Sequence, residues 1–211
     1  MLDAYYRSRY SWSPGRNRVW QVVSRYLQRF VPTGGAVLDL GAGYCAFINN
    51  IRASEKHALD IYPGFTQYAN QDVKTHVGSS TNLGTFENKR FDVVFASNLL
   101  EHLTREACQD VLREARRILK PEGRLILIQP NYYYCYRNYF DDPTHIQIFT
   151  HLGLADLLAA SGYRVERMEP RFLPFSFKSH LPTWGWLVKL YLSLPYRPLA
   201  GQMLVVARPG G

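Results

Sequence analysis

Cysteine is scarce, with only Cys45, Cys108 and Cys135 in 211 residues. They are too few and too scattered for a disulfide framework, and none forms the CxxC pair of a structural zinc site. The opening Met1-Leu2-Asp3-Ala4-Tyr5 has no basic stretch leading into an apolar run, so no secretory signal is read. No apolar stretch is long enough to span a bilayer. These absences point to a reducing, cytoplasmic setting. There is no internal repeat and no low-complexity segment. Acid is missing from the end of the chain: none follows Glu169, whereas Arg171, Lys178, Lys189, Arg197 and Arg208 do.

What is present is apolar and basic. Hydrophobic residues make up 46% of the chain, which excludes intrinsic disorder, and the length suits one globular domain with room for an insertion. The formal charge is +8. It is concentrated at the ends: residues 1–35 hold six arginines and one acid, residues 36–130 eleven of each sign, and residues 131–211 eight bases and five acids. Basic ends around a neutral middle favour an anionic partner, whether nucleic acid, a phosphorylated substrate or a membrane surface.

Apolar runs alternate with helical periods through the middle. Ala36–Leu40, His57–Ile61, Phe91–Phe95 and Leu125–Ile128 read as buried strands, each bounded by glycine, proline or polar residues. Ala107, Val111, Leu112, Ala115, Ile118 and Leu119 recur at helical spacing behind a candidate N-cap at Thr104. Asn17–Phe30 forms an amphipathic helix ahead of this unit. Thr150–Ser161 forms another behind it, followed by strands Tyr163–Met168 and Gln202–Ala207. Strand and helix in alternation predict a mostly parallel sheet with helices on both faces.

Asp39-Leu40-Gly41-Ala42-Gly43-Tyr44-Cys45-Ala46 falls where the first strand should give way to a helix carrying Phe47, Ile48 and Ile51. Glycines there let a ligand approach the backbone at the carboxyl end of the sheet. The spacing also satisfies GxGxxA, so a dinucleotide has to be weighed. A dinucleotide would place its pyrophosphate on this turn, where the Asp39 carboxylate opposes it. A ligand carrying an ammonium and a sulfonium, and no phosphate, suits Asp39. Asp60, closing the second strand, can accept both ribose hydroxyls of either ligand.

With Val37–Gly43, Asp60, Val77-Gly78-Ser79, Phe91–Val94, Ser97–Leu103 and Leu119–Leu125 in order, the chain resembles class I S-adenosylmethionine-dependent methyltransferases of the type 11 group over roughly residues 30 to 135. The resemblance implies an α/β fold: a Rossmann-like, doubly wound, mostly parallel seven-stranded sheet with helices on both faces and an antiparallel last strand. It implies S-adenosylmethionine as cofactor and S-adenosylhomocysteine as product. Asp39, Gly41 and Gly43 would line the methionine part, Asp60 the ribose, and Ser79 with Ser80 the adenine edge. Asn98 would lie beside the transferable methyl, and Ala42 and Ile61 complete the expected cofactor set. Two positions depart from the family. Cys45 stands where a third glycine is usual, and Ser79 where an acid is common.

On this reading residues 1–30 form an N-terminal lid and helix. Residues 31–211 form the methyltransferase domain, with an aromatic loop at 131–148 and an apolar insertion at about 170–200. His102, beside Glu101 after the fourth strand, and His145, in the loop after strand five, are the candidate catalytic residues. The alternative for the first pair is capping or packing at the next helix, and for His145 it is loop hydrogen bonding. His76, His102, His145 and His151 lack a paired ligand spacing, so no metal is expected. Tyr6, Tyr10, Tyr132 and Tyr134 are candidate acceptor contacts, with packing as the alternative. Thr183–Leu194 is apolar nearly all round. As a helix of about 18 Å it cannot cross a hydrocarbon core of roughly 30 Å. It suits peripheral membrane contact, a lipid-like acceptor, or burial against the domain or a second subunit. The acceptor expected is a hydroxyl or amine of a small-molecule, sugar or lipid-linked compound. RNA is less favoured, because no RNA-binding module is recognisable, and a cofactor-binding partner protein without catalysis is the remaining alternative.

Overall fold

The computed structural model describes residues 13–174 and 183–210. Seven strands form one sheet: β1 Ala36–Leu40, β2 Glu55–Asp60, β3 Val73–Val77, β4 Phe91–Ser97, β5 Leu119–Pro130, β6 Tyr163–Pro174 and β7 Ala200–Pro209, in the order β3-β2-β1-β4-β5-β7-β6. β1 pairs in parallel with both β2 and β4, and β2–β3 and β4–β5 are parallel too. β7 runs antiparallel to both of its neighbours, β5 and β6. The doubly wound sheet with one reversed last strand is therefore as expected.

The apolar runs explain why both faces need helices. Along β5, Leu125 and Leu127 join one core cluster while Ile126 and Ile128 join the other, and Met203 and Val205 of β7 alternate likewise with Leu204 and Val206. Side chains of a strand point alternately to the two faces, so a strand apolar at every position must be covered on both. Helices α2 (Arg105–Ile118) and α4 (His151–Ala160) cover one face through Val111, Leu112, Ala115, Leu154 and Leu158. Helices α1 (Pro14–Leu27) and α5 (Gly185–Ser193) cover the other through Trp20, Val23, Leu27 and Leu192. A single turn, α3 (Tyr132–Cys135), follows β5. Thr104 caps α2 as expected, its Oγ1 accepting from the Ala107 N–H at 3.2 Å.

Three boundaries differ from the sequence reading. The helix expected after β1 is a run of turns, because Gly41, Gly43 and Cys45 all take left-handed backbone angles, with φ of +66°, +50° and +54°. β6 runs on to Pro174, so the first residues of the expected insertion belong to the sheet. Within the insertion, the helix has nine residues rather than twelve. It lies against α1, with Leu192 buried and Trp184 and Trp186 exposed. Partly buried Glu169 anchors it: the carboxylate accepts from Tyr26 Oη and Arg197 Nη1, each at 2.6 Å, while Arg197 Nη2 donates to the Leu192 carbonyl at 2.8 Å.

Candidate functional site

The strand order reverses its progress between β1 and β4, and the carboxyl ends of these two strands frame the crevice where open α/β sheets bind ligands. The glycine loop leaves β1 at this point. Its Gly41 and Ala42 N–H groups donate to the Leu59 carbonyl, at 2.8 and 3.1 Å. Gly43 N–H donates to Asp60 Oδ2, and Tyr62 N–H to Asp60 Oδ1, both at 2.9 Å. Asp60 thus ties the loop to the end of β2. At Gly41 the positive φ favours glycine, and a Cβ would also crowd the Leu99 side chain at 3.1 Å. Cys45 adopts the left-handed angle despite its side chain, which is buried in the core beneath.

Electrostatics select the ligand's charge. Asp39 is buried, and burial pushes its carboxyl well above the ordinary range, opposed by the Ile48 N–H and reinforced by the neighbouring Asp60 charge. These buried carboxyl groups offer a pyrophosphate no cation, whereas a cationic ligand would favour the charged form of Asp39. Around them, Ile61 is exposed and apolar, and Ser80 is buried. The Ser79 hydroxyl lies 2.7 Å from Thr81 Oγ1 and accepts from the Thr81 N–H at 3.2 Å. Asn98 is left-handed with φ of +51°, its Oδ1 accepting from Gln202 Nε2 at 2.8 Å and its N–H donating to Ile128 at 2.9 Å. Gln202, which no sequence signal singled out, holds this side chain from β7.

The loops after β4 and β5 meet on the acceptor side. Glu101 accepts at its backbone carbonyl from Ile146 and Gln147, at 2.9 and 3.1 Å. That contact brings the His102 and His145 rings to 4.9 Å. His102 Nδ1 lies 3.0 Å from Thr144 Oγ1 and 3.3 Å from the Thr144 carbonyl, and the Thr144 hydroxyl donates to Asp142 Oδ1 at 2.6 Å. His145 Nδ1 donates to the Tyr139 carbonyl at 2.6 Å. These residues are separated in sequence, yet the fold places potential ligating atoms of Glu101, His102 and His145 within 4.8 Å of one another. Burial pushes the Glu101 carboxyl up to about 8.

The tyrosines divide. Tyr132 packs edge-on against Tyr139, at 5.2 Å, in the loop cluster. Tyr134 stacks on His151 and receives the Arg171 guanidinium at 4.8 Å. Residues two apart on a helical turn face different ways, so these two do not form one wall. Tyr6 and Tyr10 lie outside the described residues. A hollow of about 350 Å³ at the opposite, amino ends of the strands is lined by Glu55, Arg90, Asp92 and Lys120. Those charges already pair, Arg90 with Glu55 at 2.5 Å and Lys120 with Asp92 at 2.7 Å.

The fold is a doubly wound α/β sheet with an acid-flanked glycine loop at its switch point. Residues 38–127 match the family described as Methyltransferase domain. Over that span, less than half of the chain, the residues are similar to methyltransferase domains. A phosphoethanolamine N-methyltransferase of Plasmodium falciparum is 26% identical over 99 residues, which span 43% of this chain and 37% of that protein. An S-adenosylmethionine-dependent methyltransferase of Archaeoglobus fulgidus superposes with a TM-score of 0.65 at 20% identity, covering 90% of this chain and 94% of that one. The 1,6-didemethyltoxoflavin-N1-methyltransferase of Burkholderia thailandensis, solved with S-adenosylhomocysteine, gives 0.65 at 20% identity over 100% and 85% of the two chains. At these identities the structural likeness establishes the fold.

Proposed function

We propose that the chain transfers a methyl group from S-adenosylmethionine to a hydroxyl or amine of a small-molecule, sugar or lipid-linked acceptor. The observation that carries the reading is the pair of buried carboxylates, Asp39 and Asp60, on a left-handed glycine loop at the β1–β4 switch point. Asp39 would meet the ammonium of the cofactor's methionine part, and Asp60 the ribose. Ile61 and Ser80 flank the adenine, and Asn98 stands beside the methyl. In the reaction the acceptor's lone pair forms the new bond to carbon while the sulfur–methyl bond breaks, its electrons staying on sulfur and the acceptor's proton leaving to solvent. Holding the two partners in line supplies much of the rate. His102 and His145 are the polar side chains that would receive the acceptor's reacting group.

The acceptor class rests on the surroundings. Arg171 lies between the rings of Tyr134 and Tyr196, at 4.8 and 4.4 Å, a place for an anionic or sugar-like group. Exposed Trp184, Trp186, Leu190 and Leu199 near the acid-free end of the chain favour an interfacial, lipid-linked acceptor. No helix among the described residues is long and apolar enough to cross a membrane. An RNA acceptor is disfavoured because many described arginines are committed to acids, such as Arg117 to Glu114, Arg124 to Glu166 and Arg197 to Glu169. The test is calorimetry with S-adenosylmethionine and NAD, followed by transfer of labelled methyl to lipid-linked, sugar and RNA fractions. Binding of the sulfonium cofactor alone with label in the first two fractions is expected. Cofactor binding without turnover would support a non-catalytic partner protein, and NAD binding would overturn the reading.

A further inference from the structure

Methyl transfer leaves one group without a task, the Glu101 side chain. It is fully buried, and neither carboxylate oxygen accepts a well-formed hydrogen bond among the described residues. A carboxylate taken out of water without donors is costly unless a proton or a cation neutralises it. The surroundings offer donors to a cation: His102 Nε2 lies 3.9 Å from Glu101 Oε1, and potential ligating atoms of Glu101, His102 and His145 lie within 4.8 Å of one another.

We infer that Glu101, His102 and His145 bind a divalent first-row transition-metal ion such as zinc. Two imidazoles and one carboxylate are a donor set for such ions that leaves coordination positions open. The tautomers suit it. A carbonyl only accepts, so His145 Nδ1, at 2.6 Å from the Tyr139 carbonyl, carries its hydrogen there and keeps the Nε2 lone pair as a donor to metal. Thr144 gives its hydroxyl hydrogen to Asp142, so it accepts from His102 Nδ1, which leaves that ring's Nε2 lone pair on the side of Glu101. Ligating histidines are oriented in this way, through the other ring nitrogen, by carbonyls and carboxylates. Bonds of about 2.0–2.2 Å set ligand atoms roughly 3.0–3.5 Å apart, so binding contracts the trio by about an ångström. Asp142 adds a second negative charge at the rim, which matches a divalent ion. Where the chain is a methyltransferase as proposed above, an ion three residues beyond Asn98 would hold and acidify an acceptor oxygen.

The experiment strips the full chain with a chelator and titrates it with cobalt(II), reading visible d–d absorption, and then displaces cobalt with zinc. One cobalt per chain with a low-coordinate spectrum is expected. Glu101→Gln, His102→Gln and His145→Gln should each weaken binding by more than the about 10–100-fold that loss of an outer partner costs, while His57→Gln leaves it unchanged. His102 is partly exposed, so its variant keeps the test open where Glu101→Gln fails to fold. Absence of saturable binding by wild type, or binding undiminished in the ligand variants that fold, overturns the site. S-adenosylmethionine binding is measured on the same samples. Metal binding without cofactor binding would sink the proposed function alone, and the reverse would sink the metal site alone.

Discussion

Replacing Asp60 with asparagine tests the cofactor half with the least change of shape. The carboxylate now accepts two backbone N–H bonds of 2.9 Å, from Gly43 and Tyr62, and is almost fully buried. Asparagine keeps one accepting oxygen and turns an NH₂ group toward the other N–H, so one bond is replaced by an opposition of donors. A hydrogen bond to a charged group is worth about 1.5–3 kcal/mol. Because that bond holds the loop in the free protein, its loss should lower the melting temperature. A ribose hydroxyl bond to the same carboxylate is of similar worth, so at about 1.4 kcal/mol per tenfold its loss should weaken S-adenosylmethionine binding roughly 10- to 150-fold. Calorimetry with S-adenosylmethionine and S-adenosylhomocysteine, beside a thermal melt, measures both. A folded Asp60→Asn protein that binds either ligand within twofold of wild type would refute the assignment of this loop as the cofactor site.

Asp39 makes a pH-dependent prediction. Its carboxyl is raised by burial, and the cofactor's ammonium would pair with the charged form, so affinity should fall as pH drops through the raised value. Calorimetry across a pH series should show that fall for wild type, and Asp39→Asn should flatten it. For Glu169, burial would raise the carboxyl, but the bonds from Tyr26, Arg197 and Arg167 hold it below its ordinary value. Removing one partner of a buried pair costs about 3–5 kcal/mol, so Glu169→Ala should lower urea-melt stability by that order and loosen α5. A depressed carboxyl contributes its stability above the unfolded value, so the gap from wild type should close as pH falls through the folded one; a constant gap from neutral to acid would contradict the pairing. At Cys45, Cys45→Gly trades the about 1–2 kcal/mol of left-handed strain against the lost buried side chain. It should be nearly neutral, whereas Cys45→Ala keeps the strain, loses the packing and should melt earlier.

The cofactor half was legible because it is built from short contiguous pieces at the ends of strands. Val37-Leu38-Asp39-Leu40 is apolar on both sides of its acid, which places it in a central strand and Asp39 at the exit. Asp60 closes β2 in the same register, Leu40 opposite Leu59. The misreading there concerned backbone, not position. Phe47, Ile48 and Ile51 recur at helical spacing because all three are buried, and burial periodicity does not report φ. Cys45 is a third left-handed residue in the loop, and the segment after it makes only isolated helical bonds, Asn49 N–H to the Cys45 carbonyl and Ile51 N–H to the Phe47 carbonyl.

The acceptor half was illegible for a different reason. Glu101 and His145 are far apart in the chain and meet only because the N–H groups of Ile146 and Gln147 share the Glu101 carbonyl. Backbone bonds between two loops leave no trace in composition or period, since any residue supplies the same N–H and C=O. The Thr144 bridge from Asp142 to His102 depends on that docking in turn. The contrast carries a mechanistic consequence. If the strand ends hold the cofactor as proposed, residues 97–103 and 131–148 are the candidates for acceptor choice, and a substitution in either loop that breaks the Glu101 carbonyl bonds should alter acceptor turnover while leaving S-adenosylmethionine affinity intact.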